Sequence, residues 1–155
     1  MRIFSNNPCI VVLTEKDVWL RVNGKEAINL KANHMALIAC ENNIIDISSI
    51  NNALVAHISR DIIKEYLRFL NKDLSTIPVW PRSATPAIAV DCMTPDVFCV
   101  AAQYSIQHND SPGEEERARS LLFTVLSRFL ESKKFLPLLM FMLRTRISDS
   151  VYHII

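Results

Sequence analysis

The sequence predicts an α+β fold, an antiparallel β-sandwich or barrel followed by a helical segment. Three observations carry that prediction. Short runs rich in β-branched residues recur in the first part of the chain, with polar breaks between them. An Asn23-Gly24 pair joins two of these runs. Beyond Ser59 the apolar period changes from two to that of a helix.

The strands follow in order. Cys9-Ile10-Val11-Val12-Leu13 is a continuous apolar run. Val18, Leu20 and Val22 alternate with Trp19 and Arg21. Asn23-Gly24 suits a tight hairpin whose two central residues need positive φ. Ile28 and Leu30 resume the alternation against Asn29 and Lys31. His34 to Cys40, Ile44 to Ser48 and Leu54 to Ile58 are further strands, separated by Glu41-Asn42-Asn43 and Asn51-Asn52. Their even spacing is that of a sandwich or barrel.

Ser59 is placed to cap a helix carrying Ile62, Ile63, Tyr66, Leu67 and Leu70 on one side. The stretch with Pro78, Pro81 and Pro86 reads as an extended linker with one more strand at Ala87 to Val90. Thr94-Pro95-Asp96 opens another helix, with Thr94 as N-cap and Pro95 in its first turn. Ser111 and Glu114 have capping-box spacing before an apolar stripe formed by Ala118, Leu121, Leu122, Val125, Leu126, Phe129 and Leu130. A second helix, from about Lys134 to Arg144, is apolar almost all round. A third begins near Ser148, and Val151-Tyr152-His153-Ile154-Ile155 supplies no cap for it. The expected organisation is a sandwich over residues 1–110 and a helical segment over 111–155, with the chain cut before a further domain.

Composition excludes several functions. Of 155 residues, 17 are basic and 16 acidic, for a net charge of +1, so a basic nucleic-acid face is not expected on this segment. With only Gly24 and Gly113, neither a P-loop nor a dinucleotide fingerprint can form. No Ser or Cys has the flanking glycines of a nucleophile elbow, and no enzyme is expected. Cys9, Cys40, Cys92 and Cys99 form no C-x-x-C pair, and no signal peptide precedes them. Reduced, buried thiols in a cytoplasmic protein are expected. The apolar run Phe135 to Leu143 is too short to span a bilayer.

A sandwich of this kind invites comparison with metal-binding cupins, which need paired histidines. His34, His57, His108 and His153 are all isolated, so no metal and no cofactor are expected. His34 and His57 are candidate pH sensors. Lys31, at a strand end, is a candidate partner for an anionic ligand entering the sandwich. The stripe residues Leu121, Leu122, Val125, Leu126, Phe129 and Leu130 are the candidate dimer interface. Two successive apolar helices exceed what one sandwich face needs, and large surplus patches mark interfaces.

One stretch runs Glu116-Arg117-Ala118-Arg119-Ser120-Leu121-Leu122-Phe123-Thr124-Val125-Leu126-Ser127-Arg128-Phe129-Leu130, and a later one is Ser148-Asp149-Ser150-Val151-Tyr152. Together they resemble the segment preceding the helix-turn-helix region of enteric AraC-type transcription regulators. Pro8-Cys9-Ile10-Val11, Leu13-Thr14-Glu15-Lys16-Asp17-Val18-Trp19 and Leu30-Lys31-Ala32-Asn33-His34-Met35-Ala36-Leu37 extend the resemblance, most strongly to the acid-resistance subgroup. Ile58-Ser59 and Tyr66-Leu67-Arg68-Phe69-Leu70 continue it.

The resemblance implies a cupin-like sandwich, helices that mediate a homodimer, and an absent C-terminal domain that binds promoter DNA. It implies an activator of arginine-dependent acid resistance, with no membrane partner. Some members of the family bind small molecules such as fatty acids in or beside the sandwich. The alternative reading is therefore a small-molecule sensor whose helices are core. No ligand residues carry over.

Overall fold

The run from Cys9 to Leu13 lacks alternation because it has no solvent face. The computed structural model describes residues 1–41, 43–49, 51, 53–91 and 114–143. Its strands are β1 (Arg2–Ile3), β2 (Cys9–Thr14), β3 (Val18–Val22), β4 (Ile28–Leu30), β5 (His34–Ala39), β6 (Ile45–Ile47), β7 (Ala53–Ile58) and β8 (Ala87–Asp91). They form two antiparallel sheets, ordered β1-β6-β3-β4 and β7-β2-β5-β8. Every residue of β2 is buried. One face of its sheet packs on the other sheet, and its opposite face is covered by helices.

The predicted strands are all present, and β1 adds one that no periodicity announced. It is held by its pairing with β6 and by reciprocal backbone bonds between Met1 and Ile47. β3 keeps the predicted alternation, with Val18, Leu20 and Val22 inward and Trp19 and Arg21 outward. Asn23 (φ 56) and Gly24 (φ 70) form the predicted turn, closed by Lys25 N–H on the Val22 carbonyl at 3.2 Å. Strand pairing resumes only at Ile28, so the loop is longer than a two-residue hairpin. Asn23 also anchors the next loop: its side-chain oxygen accepts the Ile44 N–H at 2.7 Å.

Between the sheets, Ile10, Val12, Leu20, Val22, Ile38, Ile45 and Ile47 fill the sandwich. The second core lies between β7-β2-β5-β8 and the helices, where Val11, Leu13, Leu37 and Ile58 meet Tyr66, Phe129, Phe135 and Leu139. The layers are therefore sheet, sheet and helices. Residues on both sides of position 110 share that second core, so the described part of the helical segment is packed on the sandwich.

Helix α1 (Arg60–Leu70) starts and stops where its sequence says it should. The Ser59 oxygen accepts the Ile62 N–H at 3.3 Å, and Asn71 (φ 50) closes the other end in the left-handed region. Ser59→Ala is expected to cost about 1 kcal/mol, read as a lower urea midpoint with an unchanged slope. An unchanged midpoint would show the cap to be idle.

Helix α2 (Glu114–Ser127) tightens into a 3₁₀ turn at Arg128–Glu131, so the predicted single stripe is bent near Phe129. Helix α3 (residues 135–143) follows, with Pro137 in its first turn, where a missing N–H costs little. The Arg60 guanidinium ties this end of the molecule together. It donates to the Glu41 carboxylate at 2.9 Å and to the Leu143 carbonyl at 3.3 Å. The expected helices at Thr94 and Ser148, the Ser111 cap, Cys92, Cys99, His108 and His153 lie outside the described residues.

Candidate functional site

The helical layer has an inner and an outer face, and they differ in chemistry. Leu122, Val125, Leu126 and Phe129 point inward and are buried. Their partners are the sheet residues and the rings of Tyr66 and Phe135. Tyr66 meets Phe123 edge to face at 5.2 Å, and its hydroxyl is 2.9 Å from Ser127 Oγ. Burial raises the Tyr66 pKa, and the Ser127 bond opposes the rise.

Outward, α1 and α2 form an open groove of about 520 Å³. Phe69 and Phe123 give it an aromatic floor, with ring centroids 5.4 Å apart. Glu116, Ser120, Thr124, Ser127 and Arg128 line the rest along α2 and its 3₁₀ extension. Arg119 also lines it and pairs with Glu65 at 2.6 Å, clamping α2 to α1. Phe69 is 66% exposed, a large apolar ring left in water. The Nε of Arg128 is buried without a hydrogen-bond partner among the described residues.

The stripe named as a dimer interface therefore divides. Leu122, Val125, Leu126 and Phe129 belong to the core, and Leu121 is half-buried against it. Leu130 alone reaches the surface, at 39% exposure. The expected surplus of apolar surface was overestimated because β7-β2-β5-β8 presents a full apolar face that needs a helical cover. The outward residues missed by sequence reasoning are Phe69, Phe123, Glu116 and Arg128. Phe69 carried a signal: it lies four residues after Glu65, on the polar side of α1, where an aromatic has no core to fill.

His34 opens β5, at the edge shared with β8. Its Nε2 is 2.6 Å from the Asp91 carboxylate and its Nδ1 is 3.1 Å from the Ala32 carbonyl. His57, on β7, has Nδ1 2.9 Å from Ser5 Oγ, and Ser5 in turn accepts the Asn7 N–H. Burial lowers the His57 pKa below its ordinary value near 6.5. The nearest titratable neighbour in this network is Cys40, linked through Ser5.

A histidine held neutral by the fold stabilises it fully above the unfolded value, and that contribution is lost as pH falls through the lowered folded value. The chain is thus expected to lose stability on acidification from about pH 7 to below 6. His57→Gln is expected to lose less over the same range, measured by urea midpoints at each pH. Equal losses in both proteins would clear His57 of the effect.

Lys31 is exposed and lies on the outside of the sandwich, beside Trp19, Asn29 and Ser48. Cys9, on β2, packs in the core under the helices, and Cys40, just past the end of β5, packs in the core between the sheets. Burial raises the Cys9 pKa well above its usual value and pushes Cys40 up to about 11. Both thiols stay protonated at neutral pH. Among the described residues no cluster of three or more His, Cys, Asp or Glu side chains is arranged to hold a metal ion. No described helix is long and apolar enough to cross a membrane.

Comparison with known proteins places this architecture. Residues 4–142 match the family described as Transcriptional regulator GadX, N-terminal domain. The chain is 72% identical over 155 residues to the HTH-type transcriptional regulator AdiY of Escherichia coli K12. It is 48% identical over the same length to the porin thermoregulatory protein EnvY of that organism. In both cases all of this chain is covered and 61% of the relative, so the chain spans about three-fifths of the length of the curated relatives it matches. A crystal structure of apo ToxT from Vibrio cholerae superposes with a TM-score of 0.50 at 10% identity, over 83% of this chain and 49% of that one. That likeness is one of fold.

Proposed function

This chain belongs to the family of N-terminal domains of GadX-type transcriptional regulators, and from that premise we propose that it is the regulatory and dimerisation half of an AraC-type transcription activator. In this reading DNA is bound by a helix-turn-helix domain outside the chain, in keeping with the name and greater length of its 72% identical relative. The regulated genes are those of arginine-dependent acid resistance, which rests on the resemblance to that subgroup. The chain catalyses no reaction and works in the cytoplasm.

The observation that carries the dimer is the outer groove. Glu116 and Arg128 stand at the two ends of its α2 wall. Twelve residues of helix separate them by about 18 Å. Two copies laid antiparallel bring each Glu116 to the other's Arg128, and the exposed Phe69 and half-buried Phe123 lie between them. Aromatic residues ringed by arginine and polar side chains are the usual composition of an interface centre. Dimerisation then places two DNA-binding halves on adjacent half-sites and raises affinity through effective concentration.

Sedimentation of the chain tests this. A dimer is expected at micromolar concentration, and Arg128→Glu is expected to lower the mass. A wild-type chain that stays monomeric at high concentration would overturn it.

A second reading has its own support. Four of the six stripe residues are core, which is what a ligand sensor with core helices requires. An effector inside the sandwich would have to displace side chains such as Ile10, Leu20 and Ile38, which fill it. Native mass spectrometry of the gently purified chain separates the readings: a co-purifying acyl chain supports the sensor, and an unliganded mass counts against it.

A further inference from the structure

A second groove lies away from the helices, on the solvent side of the sheet β1-β6-β3-β4. It has a volume of about 380 Å³, and its lining includes Asp17, Trp19, Asn29, Lys31 and Ser48. The hairpin β3–β4 builds it. Trp19 and Asn29 are a cross-strand pair, and both point outward while their neighbours Val18, Leu20 and Leu30 point in. Asp17 immediately precedes β3 and Lys31 immediately follows β4, so both charges sit at the same end of the hairpin.

The frame is fixed by hydrogen bonds. Asp17 Oδ1 accepts the Ala32 N–H at 2.8 Å, and Ser48 Oγ accepts the Trp19 N–H at 3.1 Å. The Arg21 guanidinium lies over the Trp19 ring, 4.9 Å from its centroid. Trp19 remains 36% exposed.

The charges are what single this groove out. Lys31 and Asp17 line the same space, yet no ion pair within 4.0 Å joins them. Among the described residues the Lys31 ammonium has no side-chain or backbone partner, and only one oxygen of Asp17 is engaged. A cation, an anion and an indole held apart around one space complement a small molecule with the opposite charges and a flat arm. The volume is within the range of small-ligand sites.

We propose that this groove binds an α-amino acid in its zwitterionic form. Lys31 takes the carboxylate, Asp17 takes the ammonium, and the amino-acid side chain lies against Trp19. Flat side chains bind better than aliphatic ones of equal size, because the indole offers a surface for stacking, while the Arg21 guanidinium already holds the cation's place on the ring. Lys31 thus serves an anion, as its place at the strand end led us to expect, but on the outer face of the sandwich.

The test is a fluorescence titration of the 155-residue chain. Trp80 is buried, so changes on binding report Trp19. The probes are phenylalanine, phenethylamine (no carboxylate) and N-acetylphenylalanine (no ammonium). Each truncated probe is expected to bind at least roughly tenfold more weakly than phenylalanine, since each loses a charge-assisted contact. Lys31→Gln is expected to erase the penalty for the missing carboxylate while keeping the other. Asp17→Asn, whose amide oxygen can still hold the Ala32 N–H, is expected to do the reverse. No fluorescence change with phenylalanine into the millimolar range overturns the proposal, as does equal binding of the truncated probes.

Discussion

Phe129→Ala is expected to destabilise the chain by about 3–5 kcal/mol, and Leu130→Ala by no more than about 0.5 kcal/mol. The residues are adjacent, and a reading of both as interface would give them similar, small effects on the isolated chain. The structure separates them. Phe129 is fully buried where the 3₁₀ turn meets α3, with its ring stacked on Phe135 at 5.9 Å. Truncation removes the burial of a large ring and leaves a cavity lined by β-sheet and helix side chains that cannot collapse together. A loss of that size approaches the total stability of an ordinary domain. Urea denaturation of the two variants measures it directly. A larger loss for Leu130→Ala than for Phe129→Ala would mean that the helical layer is packed the other way round. An acidic substitution at Val125 or Phe129 is accordingly expected to unfold the chain, and it would say nothing about self-association.

Sequence reasoning read the sandwich well because its signals are local. Period-two alternation in β3, the Asn23-Gly24 turn and the Ser59 cap are each decided within a few residues. β1 escaped because two residues have no period; only pairing with β6, more than forty positions away, makes them a strand. The site was harder for the same kind of reason. Periodicity shows that α2 is amphipathic, but not what its apolar side meets. The answer lay in β2, whose unbroken burial reveals a sheet with two apolar faces and hence a need for a helical cover. Once that face absorbs Leu122, Val125, Leu126 and Phe129, the surface left for a partner is the other side of the helix. There the informative residues are an exposed phenylalanine and two charges, which no hydrophobic stripe would single out. Lys31 was legible as an end-of-strand cation, but which side of the sandwich it faces depended on the packing of the two sheets.

The dimer makes the second large prediction. Arg128→Glu is expected to weaken self-association by about ten- to a hundredfold. The two-fold arrangement repeats the change, so each copy then sets one like-charge pair against its partner, and opposed like charges across an interface are costly. Glu116→Arg is expected to do the same from the other end of the groove. Glu116 is exposed, so the urea midpoint of Glu116→Arg should stay close to that of the parent, and its association defect is then free of any folding defect. Salt should weaken the parent dimer, because the pairs lie at the rim of the groove.

The exchange of both charges is the most direct test of the account that α2 buries one face in its own sandwich and offers the other to a second copy. Sedimentation velocity over a range of concentrations should show a dimer for the parent chain. It should show a shift toward monomer for Arg128→Glu and for Glu116→Arg, and a restored dimer when both substitutions are combined. A parent chain that is monomeric throughout, or a double variant no better associated than the singles, would contradict it.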